Sequence, residues 1–291
     1  MGSNRRSDSV SVVLITGASS GIGLATASAF ADSGARVFAG VRASSDRTAL
    51  MDAARRPGRS ITPVIIDVAD DDSVATAIEW VLRMEGKIDV LVNNAGIGGS
   101  GAAVERIDFD LLRAVFETTV FGALRTMRAV LPSMRARKQG TIVNVSSLAA
   151  RVPRPFIGVT SATKQALEAL TEILALEVAP FGIRAVLIEP GPFRTGIIDR
   201  SVEPDPSSPY LTWERAYSER QRAVIAAARP PDEVARVIVE AVNDFGPRLR
   251  YPVGEIAIAA IERRESLSWD DWYASILADY GLAQEPRDGS G

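Results

Sequence analysis

The sequence predicts an α/β fold: a single doubly wound parallel sheet of about seven strands, with helices on both faces and a helical extension at the C-terminus. Three observations carry this expectation. Short β-branched runs alternate with helically spaced segments from residue 12 to about residue 253, and such alternation implies parallel strands joined by crossover helices. A glycine cluster separates the first run from the first helix. No linker-like stretch interrupts the pattern, so the 291 residues read as one domain.

Residues 11–16 (SVVLIT) form an apolar strand ending at the glycines, and 22–32 follow as an Ala-rich helix. The unit repeats as a strand at 36–41, a helix at 46–56, a strand at 61–67 and a helix at 71–85, whose first turn carries Asp71 and Asp72 to complement the helix dipole. The second half continues with a strand at 88–93, one long helix at 108–137, a strand at 141–147, a helix at 159–181 and a strand at 183–189. Residues 249–253 close the sheet. Between the last two strands, 191–231 is rich in Pro and Ser and carries Phe193, Tyr210, Trp213 and Tyr217. A segment of that length at the carboxyl end of a strand is expected to be a substrate lid.

The domain therefore spans 10–255, followed by a helical extension at 256–282. Within it, 269–282 places Trp269, Trp272, Tyr273, Ile276, Leu277 and Tyr280 at helical spacing, which predicts a packing face against the body or a sister subunit. Residues 1–9 and 283–291 are expected to be disordered tails.

Composition narrows the chemistry. The chain has neither cysteine nor histidine, which removes disulfides, thiol nucleophiles, imidazole acid-base catalysis and the commonest metal ligands together, so no metal site is expected. With 33 basic and 36 acidic residues and no basic run beyond Arg5-Arg6, nucleic acid is not an expected partner. No apolar stretch approaches the roughly 18 residues that span a bilayer, and the N-terminus is polar, so the expectation is a cytoplasmic protein without a membrane partner.

Thr16-Gly17-Ala18-Ser19-Ser20-Gly21-Ile22-Gly23 lies directly between the first strand and the first helix. There, glycines let the backbone approach a pyrophosphate while the helix N-terminus offers N–H groups and the positive end of its dipole. This TGxxxGxG spacing resembles the short-chain dehydrogenase/reductase family. Further matches stand at strand ends in family order: Asp67-Val68, Asn93-Asn94-Ala95-Gly96, Ser146-Ser147, and Pro190-Gly191 with Thr195 beyond. The resemblance covers residues 10–255 and implies a Rossmann-type sheet with a nicotinamide dinucleotide across the strand ends. The cofactor-binding residues it implies are Gly17, Ser19, Ser20, Gly21, Ile22, Gly23, Asp67, Val68, Asn94, Ala95, Gly96, Lys164, Pro190, Gly191, Phe193 and Thr195. After the second strand, Gly40-Val41-Arg42-Ala43 offers no carboxylate to a ribose, whereas Arg42 can pair with a 2′-phosphate and Ser19 and Ser20 can donate hydrogen bonds to it. NADP(H) is accordingly expected over NAD(H).

The family's chemistry rests on a Ser, a Tyr, a Lys one helical turn after the Tyr, and often a relay Asn. Here Ser147 precedes Thr160 by thirteen residues and Lys164 follows it by four, so Ser and Lys match while Thr160 stands in the Tyr position. Likewise Thr119 stands in the Asn position. A phenol with an unperturbed pKa of about 10 can be brought toward neutrality, but an aliphatic hydroxyl starts far above that. Thr160 can position a substrate or a water, yet it is a poor acid or base. A positioned acid or base contributes on the order of 10² to 10⁴ in rate, so some other group must supply the proton if the chain is an oxidoreductase. Candidates are Lys164, a water held by Ser147 and Thr160, or a lid residue such as Tyr210, Tyr217 or Asp199.

Three functions are compatible with these residues. The first is an atypical NADP(H)-dependent oxidoreductase acting on a lipophilic ketone or alcohol, in an apolar pocket framed by Gly98-Gly99-Ser100-Gly101 and the aromatic lid. The second is a non-redox enzyme on the same scaffold, such as a cyclase, isomerase, dehydratase or aldolase-like catalyst. The third is a non-catalytic dinucleotide-binding sensor or partner subunit. The resemblance also suggests a homodimer or homotetramer packed through the helices at 108–137 and 159–181.

Overall fold

In the computed structural model, which describes residues 10–99, 101–195 and 204–282, seven parallel strands form one sheet in the order β3-β2-β1-β4-β5-β6-β7. They are β1 (Val12–Ile15), β2 (Arg36–Val41), β3 (Ser60–Ile65), β4 (Val90–Asn93), β5 (Gly140–Val145), β6 (Ile183–Pro190) and β7 (Arg250–Val253). The order reverses between β1 and β4, the switch point outside which open α/β sheets form their ligand crevice.

Alternation along β1 sorts its side chains into two cores. Val13 and Ile15 face a cluster with Phe30, Leu50, Val234 and Ile238, packed under α1 (Gly21–Asp32), α2 (Thr48–Ala54) and, later in the chain, the helix Asp232–Asn243. Val12 and Leu14 face the other side, with Val74, Ile78, Val130, Met134 and Leu167 from α3 (Asp71–Glu85) and from the helices Gly122–Arg137 and Gly158–Val178. Both faces are covered, which is why the strands read as continuous apolar runs. Asp70 starts α3 by accepting a hydrogen bond from the Ser73 N–H at 2.8 Å, and Gly86 ends it in the left-handed region.

The long helix expected at 108–137 is two helices. α4 (Phe109–Phe116) and α5 (Gly122–Arg137) are joined by a π-helical segment, Glu117–Phe121. Apolar spacing continues across the break, so the pattern alone conceals it. α6 (Leu148–Arg151) and α7 (Gly158–Val178) follow β5. The segment at 191–231 is not irregular throughout: α8 (Leu211–Ala226) occupies much of it, while 196–203 lies outside the described residues. α9 (Asp232–Asn243), not anticipated from the sequence, leads to β7.

The extension forms α10 (Glu255–Ser266) and α11 (Trp269–Tyr280). Trp272 is buried with Leu148, Val152, Ala257 and Ile261, so the extension is latched onto α6, whereas Trp269 and Tyr273 are exposed. The two tails, 1–9 and 283–291, lie outside the described residues. No helix among the described residues is long and apolar enough to cross a membrane.

Candidate active site

The turn after β1 depends on its glycines. Gly17 and Gly21 have φ of +66° and +55°, where side chains are disfavoured, and a Cβ on Gly17 would lie 2.8 Å from the Ala95 Cα. Asn94 fastens this turn to β4, its Nδ2 donating to the carbonyls of Thr16 and Gly17 at 3.0 Å each. The Thr16 hydroxyl accepts from the N–H groups of Asn94 and Ala95 at 3.1 Å. Ser20 caps α1 without a side-chain hydrogen bond, leaving first-turn N–H groups directed at the crevice.

A groove of about 220 Å³ runs from this turn across the strand ends. Of the expected cofactor-binding residues, Gly17, Ser19, Ser20, Gly21, Ile22, Arg42, Asp67, Val68, Asn94, Ala95, Gly96 and Thr195 line it. Gly23 does not; it lies beneath, where a Cβ would come within 2.3 Å of the Gly17 carbonyl oxygen, so its role is close helix-to-turn packing. The sequence reading missed Val41, Ser45, Ile66, Ile97, Gly98 and Thr118 on these walls. Val41 and Gly98 lie inside runs already named, and the others lie within two residues of one, which was the available signal. Arg42 is exposed on the groove and makes no ion pair among the described residues. The bare glycine cradle, the open helix end and a cation beyond β2 fit a dinucleotide.

Next to the groove lies a cavity of about 320 Å³ with largely apolar walls. Ser147, Thr160, Lys164 and Thr119 all line it, as do Pro190, Gly191 and Phe193. β5 and α7 bring the first three together: Ser147 caps α6, its Oγ accepting from the Ala149 N–H at 3.1 Å, while Thr160 sits in the first turn of α7 and Lys164 one turn later. Thr119 is buried within the π segment.

The Lys164 Nζ donates to the Val145 carbonyl at 2.7 Å. Desolvation brings its pKa down to about 8, with the nearby Glu168 carboxylate opposing the shift. Glu168 is itself buried; its Oε1 accepts from the Ser146 hydroxyl at 2.5 Å and its Oε2 from Arg250 at 2.5 Å. Burial pushes the Glu168 carboxyl up, and the Ser146 and Arg250 bonds restrain it.

Of the aromatic residues in the segment expected to be a lid, Phe193 and Tyr217 line the cavity. Tyr210 instead packs at a tilt against Trp213, ring centroids 6.5 Å apart, and the Trp213 indole donates to the Gly281 carbonyl, which ties α8 to the end of α11. Tyr210 is therefore not a candidate proton donor from the cavity wall. The Tyr217 hydroxyl accepts from Gln221 Nε2 at 2.6 Å, and burial raises its pKa. Asp199 and Ser100 lie outside the described residues, while Gly98, Gly99 and Gly101 line the cavity. A Cβ on Gly99 would lie 2.9 Å from the Thr160 Oγ1, and one on Gly101 would lie 2.7 Å from the Tyr217 ring. Among the described residues there is no cluster of carboxylates able to hold a metal ion.

Residues 11–205 match the family model described as short chain dehydrogenase. The chain is similar to Oxidoreductase BOA17 of Botryotinia fuckeliana (strain B05.10), 35% identical over 246 residues that cover 84% of this chain and 89% of the relative. Among solved structures it is similar to a short-chain dehydrogenase/reductase from Burkholderia phymatum in complex with NAD, with a TM-score of 0.76 at 26% identity, covering 97% of this chain and 98% of that one. It is also similar to a short-chain dehydrogenase from Burkholderia cenocepacia J2315 in complex with NADP, with a TM-score of 0.71 at 28% identity, covering 92% and 98%.

Proposed function

Because the chain belongs to the short-chain dehydrogenase/reductase family, we propose that it moves a hydride between NADP(H) and a ketone or alcohol of a lipophilic substrate, with Lys164 handling the proton in place of a phenol. The observation that carries this reading is the junction of groove and cavity. Ile22, Asn94, Gly96 and Thr195 belong to both walls, so a dinucleotide in the groove would meet a substrate in the cavity beside Ser147, Thr160 and Lys164.

A nicotinamide dinucleotide held by the Gly17–Gly21 turn, Asn94 and Thr195 would, when bound, supply hydride chemistry at the mouth of the cavity. The protein's part is positioning and proton transfer. Ser147 accepts a backbone hydrogen bond, which leaves its own O–H to donate to the carbonyl oxygen. In reduction, the Lys164 ammonium releases one proton to that oxygen, directly or across a water held by Ser147 and Thr160, and becomes the neutral amine; oxidation reverses both transfers. An amine with a pKa of about 8 can exchange a proton near neutrality, which the Thr160 hydroxyl cannot. Thr119, Val145 and Phe193 close the wall around the reacting atoms.

The preference for NADP(H) rests on Arg42 and on the absence of a carboxylate at the end of β2. The similar solved structures hold NAD in one case and NADP in the other, which supports a nicotinamide dinucleotide in general. Thr160 is the one observation favouring a second reading, a non-redox enzyme that keeps the scaffold and gives up the phenol.

The assembly we propose is a homodimer or homotetramer. Phe109 on α4, Phe121 at the end of the π segment, Leu124 at the start of α5, and Leu170, Ile173 and Leu176 on α7 are exposed apolar side chains on the helices expected to pair.

The test is a titration with NADPH and NADH, followed by reduced-nicotinamide absorbance across a panel of lipophilic ketones. Tight NADPH binding with turnover is expected. Binding without turnover of any ketone would replace this reading with the non-redox or sensor one.

A further inference from the structure

Of the described residues lining the cavity, only Arg154 and Lys164 are charged, and the reaction above uses only Lys164. Arg154 has no carboxylate partner among the described residues, and its Nε is buried without a hydrogen bond. An unpaired guanidinium that is partly desolvated is costly to keep unless something complementary arrives to meet it.

Its backbone is held in place. Pro153 and Pro155 flank it and restrict the chain on both sides, and the next residue, Phe156, has φ +67°, a conformation that a bulky side chain rarely adopts. Phe156 is nonetheless buried, with its ring 5.9 Å from that of Tyr217. A strained residue fixed by packing beside a cavity marks a preorganised wall. Opposite the loop, α8 offers Tyr217 and Gln221, already bonded to each other, and then the apolar Val224 and Ile225. The Arg154 charge also acts on the Tyr217 hydroxyl, which places the guanidinium and the phenol in one neighbourhood.

We infer that Arg154 is an anion-recognition group for the substrate, so that the ketone or alcohol taken by this cavity carries a carboxylate or phosphate at one end of its apolar body. This rests on the oxidoreductase reading for the word substrate, but the anion site itself does not. A planar guanidinium donates two parallel hydrogen bonds to either anion, and the apolar walls between it and Ser147 take the hydrocarbon.

The experiment measures binding without turnover. Calorimetric titration of the full chain with decanoate, decyl phosphate, decanol and methyl decanoate separates charge from hydrocarbon. At least one anion is expected to bind about ten- to a hundredfold more tightly than decanol or the ester, the range of a charge-assisted hydrogen bond. Whichever anion is tighter names the group. Arg154→Gln should erase that preference while decanol binds as before, and Arg154→Lys should restore part of it; a thermal melt of each variant establishes that it is folded. Equal binding of anions and decanol, or a preference that survives in Arg154→Gln, overturns the proposal. Arg154-dependent anion binding with no reduction of any keto acid would leave the anion site standing and sink the oxidoreductase reading. Reduction of neutral ketones without anion preference would do the reverse.

Discussion

Lys164 and Thr160 stand one helical turn apart on α7, and they differ in how readily each holds and releases a proton. Lys164 is desolvated to a pKa of about 8, and reduction requires its protonated form. The kcat for carbonyl reduction should therefore be level below pH 8 and fall about tenfold per pH unit above it. A profile that stays level to about pH 10 would rule out a donor of depressed pKa, and an unchanged profile in Lys164→Met would exclude Lys164 itself. Thr160→Tyr should restore a phenol beside Lys164 and raise the reduction rate by 10² or more. No gain in that variant would mean that the cavity no longer accepts the family's arrangement. At the other end of the groove, Arg42→Ala should weaken NADPH by tenfold or more and leave NADH nearly unchanged, since a charge-assisted bond contributes about 1.5–3 kcal/mol. Comparable losses for both dinucleotides would show that Arg42 serves the adenine and not a phosphate.

Elements matter here mainly through what they hold still. α6 is only four residues long, with Ser147 as its N-cap, so it cannot position that hydroxyl unaided. Its support is the C-terminal extension: Trp272 on α11 and Ile261 on α10 pack against Leu148 and Val152. Trp272→Ala should cost about 3–5 kcal/mol of stability as a buried-aromatic truncation, read as a lower midpoint in chemical denaturation. Activity should fall with it, because the Ser147 cap loses its backing. A variant of full stability would show that the extension is merely appended. The π segment acts comparably on the other wall, setting Thr119 into the cavity where an uninterrupted helix would carry it elsewhere.

At the scale of the molecule, the sheet order creates the crevice and the outer helices leave an apolar surface. Leu176 and Ile173 are 73% and 55% exposed on α7 and, with Leu170, form an apolar stripe on the solvent face of that helix. Light scattering should give a multiple of the 31.1 kDa chain, and the double substitution Ile173→Asp, Leu176→Asp should shift it to a single chain. A wild-type mass of 31.1 kDa would remove the proposed assembly.

The features legible in the sequence were those written in local periodicity and backbone chemistry. Strands alternating with helices fixed the parallel sheet, because residues two apart share a strand face and residues three or four apart share a helix face. The Gly17 and Gly21 turn was legible because positive φ leaves glycine as the default residue there. The spacing of Ser147, Thr160 and Lys164 was legible because it is set within one strand-to-helix connection. Folding alone decided that α8 presents Tyr217 to the same cavity as Arg154, that Tyr210 turns away to Trp213, and that Glu168 sits behind Lys164 joined to Ser146 and Arg250. The Tyr217–Arg154 proximity and the Ser146 and Arg250 bonds to Glu168 join segments far apart in the chain, and even for near neighbours such as Tyr210 and Trp213 the spacing does not say which wall they face. These contacts exist only once burial of the two cores has fixed where each helix lies, and with that which side chains lose water and which cation has no carboxylate partner among the described residues.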